Sequence, residues 1–357
     1  MRNKLKNYKI LCIILFVLII LSSTIIVTIG SVDLKCSLVW KIIVNKVMGK
    51  EIFIKDWKNN IETIVWNLRV PRIITAVISG GALSLVGILM QCLTKNPLAS
   101  PYILGISAGA STGAVLAIIF FSHFLFAVPL GAFIFGTFTA FLVFYFAGIR
   151  SFSTTKLVLI GVAVSSLFSG ITTLIITLAP KENEVRSALF WLSGSLSGSN
   201  WKYIPFSLIS LIFVVGLIYP KYREFNILVT GEENAISLGV DTKKTRLLIV
   251  ICSTFLTGVI VSNVGIIGFV GLIIPHITRS FVGGNHKKVI PVAILMGGLF
   301  LVLTDTLTRS LFSSREIPIG VITSIFGSPF FLNMLRKNGY KFGGDQLWKV
   351  KINFKKI

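Results

Sequence analysis

The residues that could do chemistry are few, and their spacing argues against most of it. The three histidines, His123, His276 and His286, are far apart along the chain. Neither H-E-x-x-H nor an intramembrane pair of aspartates occurs, and Cys12, Cys36, Cys92 and Cys252 lack metal-site spacing. No G-x-x-x-x-G-K-[ST] phosphate loop is present; Gly283-Gly284-Asn285-His286-Lys287-Lys288 imitates one only in composition. The expectation is a protein without resident metal or cofactor that hydrolyses no nucleotide itself, and so is not an enzyme. Asp305 and Arg309 stand out as ionisable residues in an apolar run. One helical turn separates them, which suits a local salt bridge. An ion-coupled carrier needs such groups near the membrane midplane, and this pair lies near the outer end of its run. Transport would then draw its energy from a separate ATPase.

These residues must be positioned by membrane helices. The 357-residue chain is 54% hydrophobic and 13% charged, too apolar for a soluble domain without large sticky patches. Apolar runs of bilayer length recur, so a single polytopic domain over 1–357 is expected, all-α, with ten spans near 10–30, 69–93, 102–121, 124–148, 156–179, 203–219, 246–263, 267–283, 289–308 and 317–335. Lys4, Lys6 and Lys9 precede the first run, which is too long for a signal peptide and reads as a retained helix. The eighth span is short, carries Pro275 and follows Gly265, Gly268 and Gly271, so its entry reads as a bent re-entrant segment. The net charge of +22 does not mark a nucleic-acid partner, because the lysines cluster in loops and tails. Their distribution places both termini in the cytoplasm. Outside the spans lie a long outer segment, 31–68, read as a solvated, partly helical lid, and a short outer amphipathic helix within 182–201. On the inner side lie a loop, 221–246, and a basic tail, 336–357.

Leu68 to Gly113 is the densest stretch. Arg69 and Arg72 are too costly to sit in hydrocarbon, so they mark the outer membrane face and should point into water there, as should Arg309. Gly80, Gly81, Ser84 and Gly87 flatten one side of the following helix, and Gly105, Gly109 and Gly113 flatten the next, which permits close helix approach. Between them Asn96-Pro97-Leu98-Ala99-Ser100-Pro101 breaks the backbone. On the inner loop, Gly231 and Gly239 bracket a short helix from Glu232 to Leu238. Glu232 and Glu233 sit in its first turn, where the helix dipole favours negative charge. A rigid piece of this kind could pass ATP-driven movement to the spans.

The wording of three blocks resembles a known family. They are R-x-P-R through Q-x-x-x-x-N-P-L-A-x-P-x-x-L-G, then Gly265 to Arg279, then Asp305-x-x-x-Arg309 with Glu316-Ile-Pro318-Ile-Gly320 and Gly327-Ser-Pro329. Together they resemble the FecCD-type permease subunits of ABC importers for iron-siderophores, haem and vitamin B12. The resemblance implies an inverted repeat of spans two to five and seven to ten. It implies a separate ABC ATPase, an extracytoplasmic substrate-binding protein and a second, identical permease chain. The expected permease–permease interface uses Gly161, Ser165, Ser166, Gly320 and Gly327. The resemblance further implies that Arg69, Arg72 and Arg309 dock the binding protein. Gly231, Glu232, Glu233, Ala235, Leu238 and Gly239 form the coupling helix for the ATPase. Asn96, Pro97 and Leu98, with Ser153, Thr154 and Thr155, form the cytoplasmic gate. The expected cargo is a ferric siderophore, with haem or cobalamin as alternatives. A secondary transporter and a non-transporting membrane scaffold remain the competing readings.

Overall fold

The computed structural model describes residues 7–30, 34–121, 123, 124, 126–148, 154–310 and 316–338. All regular structure among them is helical. α1 (Tyr8–Ile26) is followed by α2 (Cys36–Met48) and α3 (Asn59–Thr63), which runs through a π-helical segment, Ile64–Arg69, straight into α4 (Val70–Thr94). Then come α5 (Ile106–Phe120), α6 (Ala127–Ala147), α7 (Thr154–Thr177), α8 (Glu182–Leu192) and α9 (Ile204–Ile218). The short α10 (Tyr222–Leu228) and α11 (Glu232–Ser237) precede α12 (Thr242–Val264), α13 (Val270–Val282), α14 (His286–Ser310) and α15 (Ile319–Asn338).

Seven of these segments are long and apolar enough to cross a bilayer, and α5, α13 and α15 are shorter apolar helices. Each of the ten expected spans falls on one of them, but α5 (15 residues) and α13 (13 residues) are shorter than a full crossing. A helix of 15 residues such as α5 covers about 22 Å, less than the roughly 30 Å hydrocarbon core. The bent entry expected before the eighth span is present, since α13 begins only at Val270.

α4 is the axis of the bundle. It is buried along nearly its whole length, and small residues let its neighbours close on it. A Cβ added to Gly80 would stand 2.1 Å from the Gly297 carbonyl oxygen, so α4 and α14 touch backbone to backbone. The same occurs between α5 and α6, where a Cβ on Gly113 would stand 2.1 Å from the Gly131 oxygen. Lipid cannot drive such contacts hydrophobically; dispersion at close range does. α1 lies at the edge with Ile13, Phe16, Leu21 and Ile25 exposed, the surface of a helix facing lipid.

A pattern recurs in the two halves. α4 ends at Lys95 and α12 ends before Gly265, both with positive φ (51° and 68°). Each is followed by irregular backbone and a short helix, whose N-caps Gly105 and Phe269 again have positive φ (69° and 65°). The two irregular segments meet, because the Tyr102 hydroxyl donates to the Ile267 carbonyl. Non-helical backbone at this depth is tolerated because protein satisfies it.

Candidate functional site

At the end of the bundle expected to face outward, four charged side chains converge from distant parts of the chain. Arg72 opens α4 and donates to Asp305 through Nε at 2.9 Å, with Nη2 2.8 Å from the same carboxylate. Its Nη1 donates to Glu316. Arg309, one turn beyond Asp305 on α14, places Nε 3.2 Å from it, as the sequence spacing implied. Asp305 is 1% exposed. Two guanidiniums offset the cost of burying its charge. Nη1 of Arg309 donates to the Ile29 carbonyl at 3.3 Å, and its Nη2 is buried without a hydrogen-bond acceptor among the described residues.

Arg69 departs from the expectation that it points into the outer water. It is 5% exposed and donates from Nη1 to the carbonyls of Val27 (2.7 Å) and Thr28 (2.9 Å). The cause is the π segment it terminates. An extra residue in a turn rotates the following side chains, and this turns Arg69 onto the C-terminal end of α1, where carbonyls and dipole favour a cation. Sequence spacing could not show this, nor could it show the Arg72–Asp305 bond between residues 233 positions apart.

At the end expected to face the cytoplasm, α10 and α11 form a small platform. Gly231 (φ 135°) and Gly239 (φ 76°) bracket α11 in conformations that glycine adopts readily. Ala235 is buried beneath the helix, while Glu233, Ile236 and Leu238 face outward. The platform is tied to two spans. Glu232 accepts from Arg246 at the base of α12 at 2.9 Å, and this hydrogen bond holds its carboxyl below the usual carboxylate value. Glu224 accepts from the Thr245 hydroxyl at 2.9 Å. Asn226 Oδ1 accepts from the His286 backbone and stands 2.7 Å from His286 Nδ1, at the start of α14.

The expected gate lies on the same side. Lys95 ends α4 in the left-handed region, and Asn96 Oδ1 accepts from the Leu98 amide at 2.9 Å, a side-chain turn that shapes Asn96-Pro97-Leu98. The Lys95 charge also helps to depress the Glu232 carboxyl, so this segment lies within electrostatic reach of α11. Of the second gate element, Ser153 lies outside the described residues, Thr154 begins α7, and Thr155 is exposed.

The small residues expected at a permease–permease interface need correction. Gly320 packs on the Ser193 carbonyl and Gly327 on the Phe269 ring, both inside the chain, and Gly161 and Ser165 meet Gly105. Of the expected residues Ser166 does lie on the outward face of α7, beside Val162, Ala163 and Gly170.

The chain is similar to known proteins over most of its length. The model of the FecCD transport family matches residues 14–337. The cobalamin import system permease protein BtuC of Halobacterium salinarum is 38% identical over 276 residues, covering 77% of this chain and 74% of that protein. The Fe(3+) dicitrate transport system permease protein FecD of Escherichia coli is 34% identical over 283 residues, 78% of this chain and 88% of its own length. The molybdate import system permease protein MolB of Haemophilus influenzae is 36% identical over 271 residues, 76% and 80% of the two chains. A solved structure, an inward-facing conformation of a metal-chelate type ABC transporter, superposes with a TM-score of 0.78 at 32% identity, covering 93% of this chain and all of the other.

Proposed function

Because the chain belongs to the FecCD transport family, whose members are permease subunits of ABC transporters with the ATPase on a separate subunit, we propose that it carries a ferric siderophore into the cytoplasm. The chain is a multi-pass membrane protein of an ABC importer, which sets aside the secondary-transporter and scaffold readings. The observation that carries the proposal is the family match over nearly the whole chain, together with relatives named for siderophore, ferric citrate and ferric hydroxamate transport.

In this reading two copies of the chain enclose the pathway, with both termini cytoplasmic and the exposed small residues of α7 near the dyad. α11 rests in a groove of the ATPase through Glu233, Ile236 and Leu238. Its ties to α12 and α14 carry ATP-driven movement to the spans, and Asn96-Pro97-Leu98 with 153–155 closes the pathway below. On the outer face Arg72 and Arg309 meet carboxylates of the substrate-binding protein, whose planar match to guanidinium gives paired hydrogen bonds. Arg69 joins them only on leaving the α1 carbonyls.

The cargo is tested by uptake into proteoliposomes holding the permease–ATPase complex and its binding protein. The panel comprises labelled ferric siderophores, haem, cobalamin and molybdate. ATP-dependent uptake of a ferric siderophore in preference to the others is the expected result. Preference for cobalamin, haem or molybdate would replace the cargo while leaving the permease assignment intact.

A further inference from the structure

The segment between α1 and α4 is a built hairpin rather than a loose lid. α2 packs Val39 and Ile42 against Val65 of the π segment, and all three are buried. The irregular return segment, 50–58, is fastened to α2 and α3. Asn45 clamps Phe53 on both sides of its peptide plane, its Nδ2 donating to the carbonyl at 2.7 Å and its Oδ1 accepting from the amide at 3.0 Å. Lys41 pairs with Asp56 at 2.9 Å, and Glu62 holds Lys46, Lys55 and the Trp57 indole.

This fixed scaffold carries an apolar tip. Val47, Met48, Ile52, Phe53 and Ile54 are exposed, Ile54 at 89%. Large side chains held rigidly in water mark an interaction surface, and rigidity lowers the ordering cost of binding. The direction of the hairpin decides what can reach it. The start of α2 is anchored beside Arg69, because Leu34 donates to the Thr28 carbonyl that also accepts from Arg69. The end of α2 lies beside Glu62, through Lys46. From Arg69 back to Glu62 the helix rises about 10 Å. The tip therefore stands about 10 Å beyond Arg69 along the axis of α4, on the side away from the bundle's middle. Lys50 and Lys58 flank it and form no ion pair among the described residues, against one unpaired acid, Glu51.

We infer that this tip is an apolar anchor for a water-soluble extracytoplasmic protein whose surface offers an apolar depression with an acidic rim. The inference rests on the importer reading and identifies that partner as the substrate-binding protein, touching the hairpin as well as the arginine cluster. The test uses the permease–ATPase complex in nanodiscs and the binding protein that stimulates its ATPase. A photoreactive benzoylphenylalanine at position 54 should form an adduct with the binding protein. Ile54→Asp should weaken docking about tenfold or more, as expected for losing one buried large aliphatic side chain. Lys50→Glu should weaken it less and reduce its salt dependence. An adduct with lipid alone, no adduct, or unchanged affinity in Ile54→Asp overturns the inference. Failure of the unmodified complex to bind the binding protein at all would instead sink the importer reading, and this inference with it.

Discussion

Replacing Asp305 with asparagine separates the two tasks of the outer cluster. The carboxylate is 1% exposed and is shared by Arg72 and Arg309, which are themselves nearly buried. Removing one member of a buried ion pair costs about 3–5 kcal/mol, because the remaining charge is left uncompensated. Here Glu316 still holds Arg72, and asparagine keeps an acceptor oxygen, so the loss should lie near the lower end, about 3 kcal/mol. Docking should move the other way. Asp305 competes for the guanidiniums that a binding-protein carboxylate would use, and its neutralisation frees them. A gain of about 1–2 kcal/mol, roughly 5–30-fold in affinity, is expected. Thermal unfolding of the purified complex and titration of the binding protein onto nanodisc-held complex read the two quantities separately, and the titration should grow more salt-sensitive. Stability and affinity falling together would refute the reasoning. It would mean that Asp305 positions the arginines for docking rather than competing for them.

Three further outcomes follow from the same geometry. Cysteines at Asn59 and Asn183, both exposed, should react with a membrane-impermeant thiol reagent in intact cells, and one at Asn234 only after the membrane is opened; labelling of Asn234 in intact cells would invert the topology. Leu238→Asp should leave the complex assembled and uncouple ATP hydrolysis from uptake, because Leu238 is 65% exposed. Ala235→Asp should disturb the platform itself, since Ala235 is fully buried; full transport by both variants would remove α11 from the transmission path. The Glu232 carboxyl is held below its ordinary value of 4.5 by Arg246, so its contribution is complete above that value and is lost as pH falls through the depressed one. Coupling should therefore be flat from about pH 5 to 8, and Glu232→Gln should lower it across the whole range; a wild-type loss centred near neutral pH would point to another group.

Much of the fold could be read from the residues because membrane spans announce themselves by length and apolarity. The small-residue faces were legible for the same reason: Gly80 and Gly113 permit an approach that larger residues forbid. The short helices α5 and α13 could be anticipated only from the prolines and glycines before them, since hydropathy does not measure depth. The sites were legible in part. The spacing of Asp305 and Arg309 gives their pairing, but no local rule brings Arg72 to Asp305 or His286 to Asn226. Arg69 was misread because a π turn has no sequence signature, and one residue of phase separates water from the end of α1. Gly161, Gly320 and Gly327 were assigned to an interface between chains because small residues serve inner and outer contacts equally.

The most direct test asks what drives transport. Proteoliposomes containing this chain with its ATPase, supplied with binding protein and a labelled ferric siderophore, should take up the chelate only with hydrolysable ATP inside the cytoplasmic compartment. Uptake should persist when proton and sodium gradients are collapsed and should vanish when the binding protein is omitted. Uptake by the chain without the ATPase, driven by an imposed ion gradient and insensitive to ATP, would contradict the account.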